Sequence, residues 1–308
     1  MAGTLTLSIE IELGWGVHDL PTVTHLSDGG RREREYLDKL LDKADETGVP
    51  ISFDIVGHLL LAECDGSHDG PYPAGWFDAD PGTDVESDGL FYGPDLARRV
   101  LNADVDHELC THTFSHLLCG QVSDDLLDAE LRRVRELHEE FDAPVSSFVP
   151  PRHSRPNDEV LRRNGIRVAR YAKSRRSPTH AHRFKQLTVG PAPHWAPRVE
   201  DGLLQTYCTS YPSLTALTLP SGQEDPYRGY QLFPLAARKR VHEYNLRRAT
   251  RRAIESESPF HLWCHLYDLS NEDQWSVLER YLEHLGDIPD EELNVMTMKS
   301  LGDRYLER

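Results

Sequence analysis

Polar and apolar residues alternate from Leu5 to Leu13, the two-residue period of a strand with one apolar face. A charged, helix-favouring run from Gly30 to Glu46 follows and is closed by Gly48 and Pro50; Ile51 to Gly57 then reads as a second, largely buried strand. Periodicity is lost over about 62–93, a stretch rich in Gly, Pro and Asp that carries Tyr72, Trp76, Phe77, Phe91 and Tyr92. A segment of that length is commonly a functional loop, whose aromatics either stack on a ligand or fill a gap beneath it. Pro94 opens a short helix, Asp95 to Asn102, and a strand then runs into Asp106–His116. Ser123 caps a helix through Phe141, striped by Leu126, Leu127, Leu131, Val134 and Leu137.

The alternation continues to the end of the chain. Val145–Val149 predicts a strand, Asp158–Asn164 a helix stopped by Gly165, and Ile166–Tyr171 a strand. A second long loop covers about 174–197, with His180, His182, His194 and Trp195. Then come a strand at Leu203–Tyr211, an amphipathic helix at Ala236–Glu257, a strand at Pro259–Asp268, a helix at Glu272–Leu285 and a last strand at Asn294–Met298. Seven or eight strands alternating with helices, without repeat or linker, predict an α/β fold: a parallel, barrel-like sheet in a single domain, 1–308.

Charge narrows the partners. The chain carries 51 acidic and 34 basic residues, a formal charge of −17, and its only lysines are Lys39, Lys43, Lys173, Lys185, Lys239 and Lys299. A nucleic-acid binder needs a basic face to neutralise phosphate, so none is expected as partner. A surface this acidic fits a protein from a salt-rich, halophilic source, where self-repulsion is screened. The first residues lack a basic stretch followed by a long apolar run, and nowhere do about 18 uncharged apolar residues follow one another. No membrane span and a cytoplasmic location are expected. Cys64, Cys110, Cys119, Cys208 and Cys264 are odd in number and show no C-x-x-C, which reads as buried thiols rather than disulfides or a zinc knuckle.

The chemistry is concentrated at predicted strand ends. His112 and His116 stand four residues apart, a spacing that one helical turn would bring to one face. Two neutral imidazoles completed by one carboxylate make a metal centre with a position left for water. Glu10 and Glu12, two apart on the first strand, point to one side: a solvent-facing edge, or, if inward, a repelling pair that calls for a cation or a shared proton. Arg152 and His265 also follow strands, so the polar groups gather at the rim where such barrels carry their sites.

The order of these motifs resembles the NodB-type polysaccharide deacetylases, carbohydrate esterases built on a distorted (β/α)7 barrel. Glu10-Ile11-Glu12, His112-Thr113-Phe114-Ser115-His116, Phe148-Val149-Pro150-Pro151-Arg152 and Trp263-Cys264-His265 carry the likeness, which covers most of the chain. The first motif is acid-x-acid, as in one branch, where adjacent aspartates are usual. The arginine that normally precedes the proline pair is replaced by Val149, and Arg152 follows the pair instead. The resemblance implies a divalent metal, zinc first, held by Glu12, His112 and His116. It further implies Glu10 as general base, His265 as general acid, Arg152 as the group that holds Glu10, and an acetylated sugar or glycan as substrate. Trp15 and Trp263 are candidate pocket walls. A barrel hydrolase of a small amide or cyclic ureide, and a non-catalytic glycan-binding barrel, are the competing expectations.

Overall fold

The computed structural model describes residues 2–20, 25–173, 195–208, 211, 213–256 and 258–307. The histidines at 180, 182 and 194 and most of the second expected loop lie outside them. Nine strands are present among the described residues: β1 Gly3–Ile11, β2 Ser52–Ile55, β3 Glu108–Thr111, β4 Ser147–Phe148, β5 Val168–Ala172, β6 Arg198–Glu200, β7 Leu203–Cys208, β8 Phe260–His265 and β9 Leu293–Val295. Hydrogen bonding runs β1-β2-β3-β4-β5-β7-β8 and back to β1, so seven parallel strands close into a barrel wrapped by helices. The expected α/β barrel is therefore the fold observed. It is distorted where β9 takes the Gly3–Leu5 half of one edge of β1 while β2 takes the Ser8–Ile11 half.

The alternation in β1 has a different cause from a wet edge. All nine residues are buried. Leu5, Leu7, Ile9 and Ile11 join the main apolar core with Leu37, Leu40 and Ala44 of the helix Arg31–Thr47, Leu246 and Ala249 of the helix Leu235–Glu255, and Leu278 and Leu282 of the helix Glu272–Gly286. Each such leucine contributes roughly 1.5–3 kcal/mol by leaving water. The polar parity, Thr6, Ser8 and Glu10, is turned the other way, into the barrel, and each of the three is at most 3 % exposed. The inward alternative for Glu10 is the observed one.

Local signals set the helix limits. Ser123 Oγ accepts from the Leu126 N–H, and Asn157, Asn271 and Thr297 cap the helices Asp158–Arg163, Glu272–Gly286 and Met298–Leu306 in the same way. Gly48 closes the first helix at φ +67°, a left-handed conformation that favours glycine. β6 and the helix Met298–Leu306 are among the elements that escape the hydrophobic pattern. β6 is a three-residue strand whose antiparallel hairpin with β7 turns at Asp201 and Gly202, both at positive φ, the residue pair that a two-residue hairpin turn prefers. The helix Met298–Leu306 stands where the last strand was expected to end. Its N-terminal N–H groups are received by Ser52 Oγ and Glu108 Oε2, and Met298 and Leu301 pack on Cys110, Val149, Val168 and Leu204. This small cluster closes the barrel end opposite the site.

Candidate active site and metal centre

The site forms at the C-terminal mouth of the barrel, where β1, β3 and β8 deliver their last polar residues. Glu12 lies one residue past β1, at the head of the 3-10 turn Leu13–Val17. Gly16 makes room for it: a Cβ there would collide with the Glu12 carboxylate and Cβ. His112 follows β3 directly. Its Nδ1–H donates to the Val149 carbonyl at 2.9 Å, which leaves Nε2 turned to Glu12 Oε1 at 3.0 Å. His116 Nε2 reaches the same oxygen at 3.3 Å. The expected trio of Glu12, His112 and His116 is therefore brought together, with exposures of 4 %, 0 % and 2 %.

The way in which the histidines meet differs from expectation. No helix connects them: Thr113 and His116 adopt φ of +62° and +58°, and the segment is an irregular turn. Glu130, a buried residue of the helix Asp124–Glu139, holds that turn. It accepts the N–H groups of Phe114 and Ser115, the Ser115 hydroxyl, and the Tyr72 hydroxyl at 2.7 Å. The Gly57 and His58 N–H groups donate to the Thr113 and Phe114 carbonyls from the other side. Of seven non-glycine residues at positive φ among those described, Leu13, Thr113, His116, Arg152 and His153 all sit in the turns around this mouth. Backbone strain of this kind persists only where surrounding contacts fix it, and it gathers at functional sites.

Glu10 lies deeper, in register with Asp54 on β2 and His265 on β8. His265 Nε2 is 3.0 Å from Glu10 Oε2 and 3.9 Å from Glu12 Oε1, while its Nδ1 meets Asp268 Oδ2 at 2.9 Å. The His265 ring stacks on Tyr267 at 4.6 Å, and its side chain is 23 % exposed, which makes it the member of the cluster most open to solvent. A cleft of about 240 Å³ on this side is lined by His153, Trp263, His265 and Asp268, among others. Trp263, half-buried, is thus part of a pocket wall. Trp15 is not: it is fully buried against His58, Phe77 and Phe91, so these loop aromatics fill a gap rather than face a ligand.

Arg152 does not hold Glu10. Its guanidinium donates to Asp19 and to the Gly16 carbonyl, which ties down the turn after Glu12 at a side chain 37 % exposed. The partner of Glu10 is Arg170 of β5, fully buried. It pairs with Glu10 across the lumen, donates to Ser8 Oγ at 2.8 Å, lies 3.6 Å from Asp54 Oδ2 and stacks over the Trp263 ring at 4.7 Å. The chain offered one signal for Arg170: a charge inside a short apolar strand, on the parity shared with Val168 and Ala172.

These placements set the charges. Burial opposes ionisation of Glu10, but Arg170 and then His265 outweigh it and hold the carboxyl well below its usual range. Glu12 is lowered in the same sense by His265 and His116 against its burial. Burial pulls the His265 pKa down, yet Glu12, Glu10 and Asp268 together raise it well above the ordinary histidine value. His116 is lowered by its burial and stands neutral, the form that ligates metals. Asp54, fully buried, is pushed up to about 7.

The donor set of Glu12, His112 and His116 is the kind that a catalytic zinc-class ion takes, with three protein ligands and an open position. Glu10, Glu12 and His265 form a second possible grouping. There the guanidinium of Arg170 beside Glu10 opposes a further cation, so the histidine pair is the better fit.

No protein-family model matches the chain, and no curated protein matches its sequence. Solved structures do match. A protein assigned as a polysaccharide deacetylase from Mycobacterium smegmatis superposes with a TM-score of 0.62 at 14 % identity, over 98 % of this chain and 89 % of its own. A second one assigned so, from Pseudomonas aeruginosa PAO1, gives 0.57 at 10 % identity over 99 % and 91 %. Puue allantoinase gives 0.58 at 10 % over 98 % and 89 %. At these identities the likeness is one of fold, a barrel that the two deacetylase-assigned proteins and the allantoinase share with this chain.

Proposed function

We propose that the protein is a metal-dependent hydrolase that removes an acetyl group from an N-acetylated sugar, with Glu12, His112 and His116 as ligands, Glu10 as base and His265 as acid. The convergence of His112 Nε2 and His116 Nε2 on Glu12 Oε1, with Glu10 and His265 3.0 Å apart alongside, carries this reading. A divalent ion, zinc first, supplies a Lewis acid and lowers the pKa of water when bound there.

The chain's own residues do the rest. Glu10, an ionised carboxylate, accepts the proton of the attacking water at Oε2, the oxygen not engaged by Arg170. Arg170 keeps that carboxylate charged and fixed across the lumen. His265, protonated and oriented by Asp268, gives its Nε2 proton to the departing sugar nitrogen, so that acetate and a free amine leave. Trp263 and Tyr267 flank His265 where the sugar enters. Arg152 and Asp19 keep the Glu12 turn in place rather than touching the reaction.

The likeness to an allantoinase favours, as a second reading, the opening of a small cyclic ureide by the same groups. Metal analysis of the purified protein, with release of acetate from N-acetylated sugars and turnover of cyclic ureides measured side by side, tests both. Acetate release with one metal lost in His116→Ala supports the deacetylase; ureide turnover without acetate supports the second reading; a fully loaded protein inert on both substrate classes contradicts the two together.

A further inference from the structure

A second set of metal-ligating side chains lies away from Glu12 and its histidines, behind Trp15. His58, in the 3-10 turn Gly57–Leu60 after β2, meets Cys64, His68 and Asp80 from the long loop, and one ligand atom from each of the four falls within 4.8 Å of the others. His68 Nε2 is 2.6 Å and His58 Nε2 3.2 Å from Asp80 Oδ2, and Cys64 Sγ is 3.6 Å from His68 Nε2. In a tetrahedral zinc site, with bonds of ~2.0–2.1 Å to nitrogen and oxygen and ~2.3 Å to sulfur, ligand atoms stand roughly 3.3–3.6 Å apart. The Cys64–His68 separation fits as it stands and the His58–Asp80 one lies just under the range. The third, His68 to Asp80, is a direct hydrogen bond that opens by under an ångström to admit an ion.

The surrounding bonds already aim the donors. Asp80 Oδ1 is occupied by the Tyr92 hydroxyl at 2.6 Å and the Gly82 N–H at 3.2 Å, which turns Oδ2 inward. His58 Nδ1 lies 3.3 Å from the Phe91 carbonyl, so the proton sits on Nδ1 and the lone pair on Nε2. That Nε2 is completely buried and makes no hydrogen bond among the described residues, although it faces a carboxylate oxygen. A buried lone pair set against a carboxylate is repulsive unless a proton or a metal ion stands between them. His68 is held flat on Phe77 at 3.9 Å. Cys64, expected to be a buried thiol like the other four, is half-buried, with its sulfur receiving the Gly66 N–H at 3.4 Å.

We propose that His58, Cys64, His68 and Asp80 bind a structural divalent transition metal of the zinc class that fastens the loop 62–93 to the barrel. That segment has one β-bridge, Glu63 to Asp84, and is otherwise held by turns and side-chain bonds such as Tyr72 to Glu130 and Trp76 to Ser115. Four protein ligands leave no position for water, so the site is closed and serves stability. It also braces the catalytic mouth: Phe77 and Trp15 lie between the two clusters, and Trp76 from the same loop donates to Ser115, next to His116.

The test is cobalt(II) reconstitution of the full chain, read by absorption, together with metal counting. A thiolate ligand gives a near-ultraviolet charge-transfer band, and the catalytic ligand set contains no sulfur. The proposal expects two metal equivalents and this band in the wild type, the band lost with one equivalent in Cys64→Ser, and the band retained with one equivalent in His116→Ala. A wild type without the band, or a band that persists in Cys64→Ser, overturns it. Should Cys64→Ser fail to fold, alkylation of the wild type decides: Cys64 blocked with metal and reactive after chelation supports the site, and equal reactivity in both states refutes it. Loss of the catalytic metal alone lowers the counts but leaves the band and the alkylation readout intact, so the two sites stand or fall separately.

Discussion

Arg170 and Glu10 meet inside the barrel from strands that are not neighbours in the sheet: β5 lies between β4 and β7, β1 between β2 and β8. The pair is shut away from water, since neither side chain is more than 4 % exposed. A buried ion pair contributes little when intact, but removing one partner strands the other charge at a cost of roughly 3–5 kcal/mol. Arg170→Met should therefore lower unfolding free energy by about that much and abolish turnover, while Arg152→Ala, which breaks an exposed pair with Asp19, should cost under about 1 kcal/mol. Chemical denaturation of both variants checks this, and an Arg152→Ala variant as damaged as Arg170→Met would contradict it.

That contrast shows what could be read in advance. The strand and helix order, the barrel and the convergence of Glu10, Glu12, His112, His116 and His265 were legible, because period-two and period-3.6 patterns and strand-end polar residues are local properties. Arg170 was not, because its partner is 160 residues away and only barrel closure brings Ser8, Glu10 and Asp54 around it. The turn that carries His112 and His116 misled for a related reason. An i,i+4 spacing suits one helical turn, but Glu130 binds the backbone of this segment in another shape. Cys64 reads as a buried thiol from the odd cysteine count and the lack of a C-x-x-C, whereas His58, His68 and Asp80 gather round it through the loop's fold.

Three buried histidines make stability depend on mild acid. Burial pushes His107, His138 and His242 down to about 4 from the ordinary 6.5. Each keeps one neutral hydrogen bond, to the Ile51 N–H, the Ala143 carbonyl and the Leu214 carbonyl respectively. Between pH 6.5 and 4 the unfolded chain binds these protons and the folded one does not, so the stability these three contribute is complete above 6.5 and falls as the pH drops through that window. The loss is bounded by roughly 3 kcal/mol per histidine. Denaturation at pH 7, 6 and 5 should show a steady decline that His138→Gln reduces; a flat profile would contradict the assignment.

The charge of −17 predicts a salt requirement. Close carboxylates on an acidic surface repel in dilute buffer and are screened at molar salt, where the screening length falls to about 3 Å. The melting temperature should rise between dilute buffer and molar potassium chloride. An unchanged value would set aside the expectation of a halophilic source.

Glu10 and Glu12 lie two residues apart, yet they have different neighbours: Arg170 and His265 for one, His112 and His116 for the other. The most direct test of the account is metal content measured together with acetate release for Glu10→Gln and Glu12→Gln. Glu10→Gln should keep its metal and lose roughly 10²–10⁴ in rate, the usual worth of a general base. Glu12→Gln should lose the catalytic metal and activity together. An empty centre in Glu10→Gln beside a loaded Glu12→Gln, or wild-type rates in both, would contradict the arrangement described.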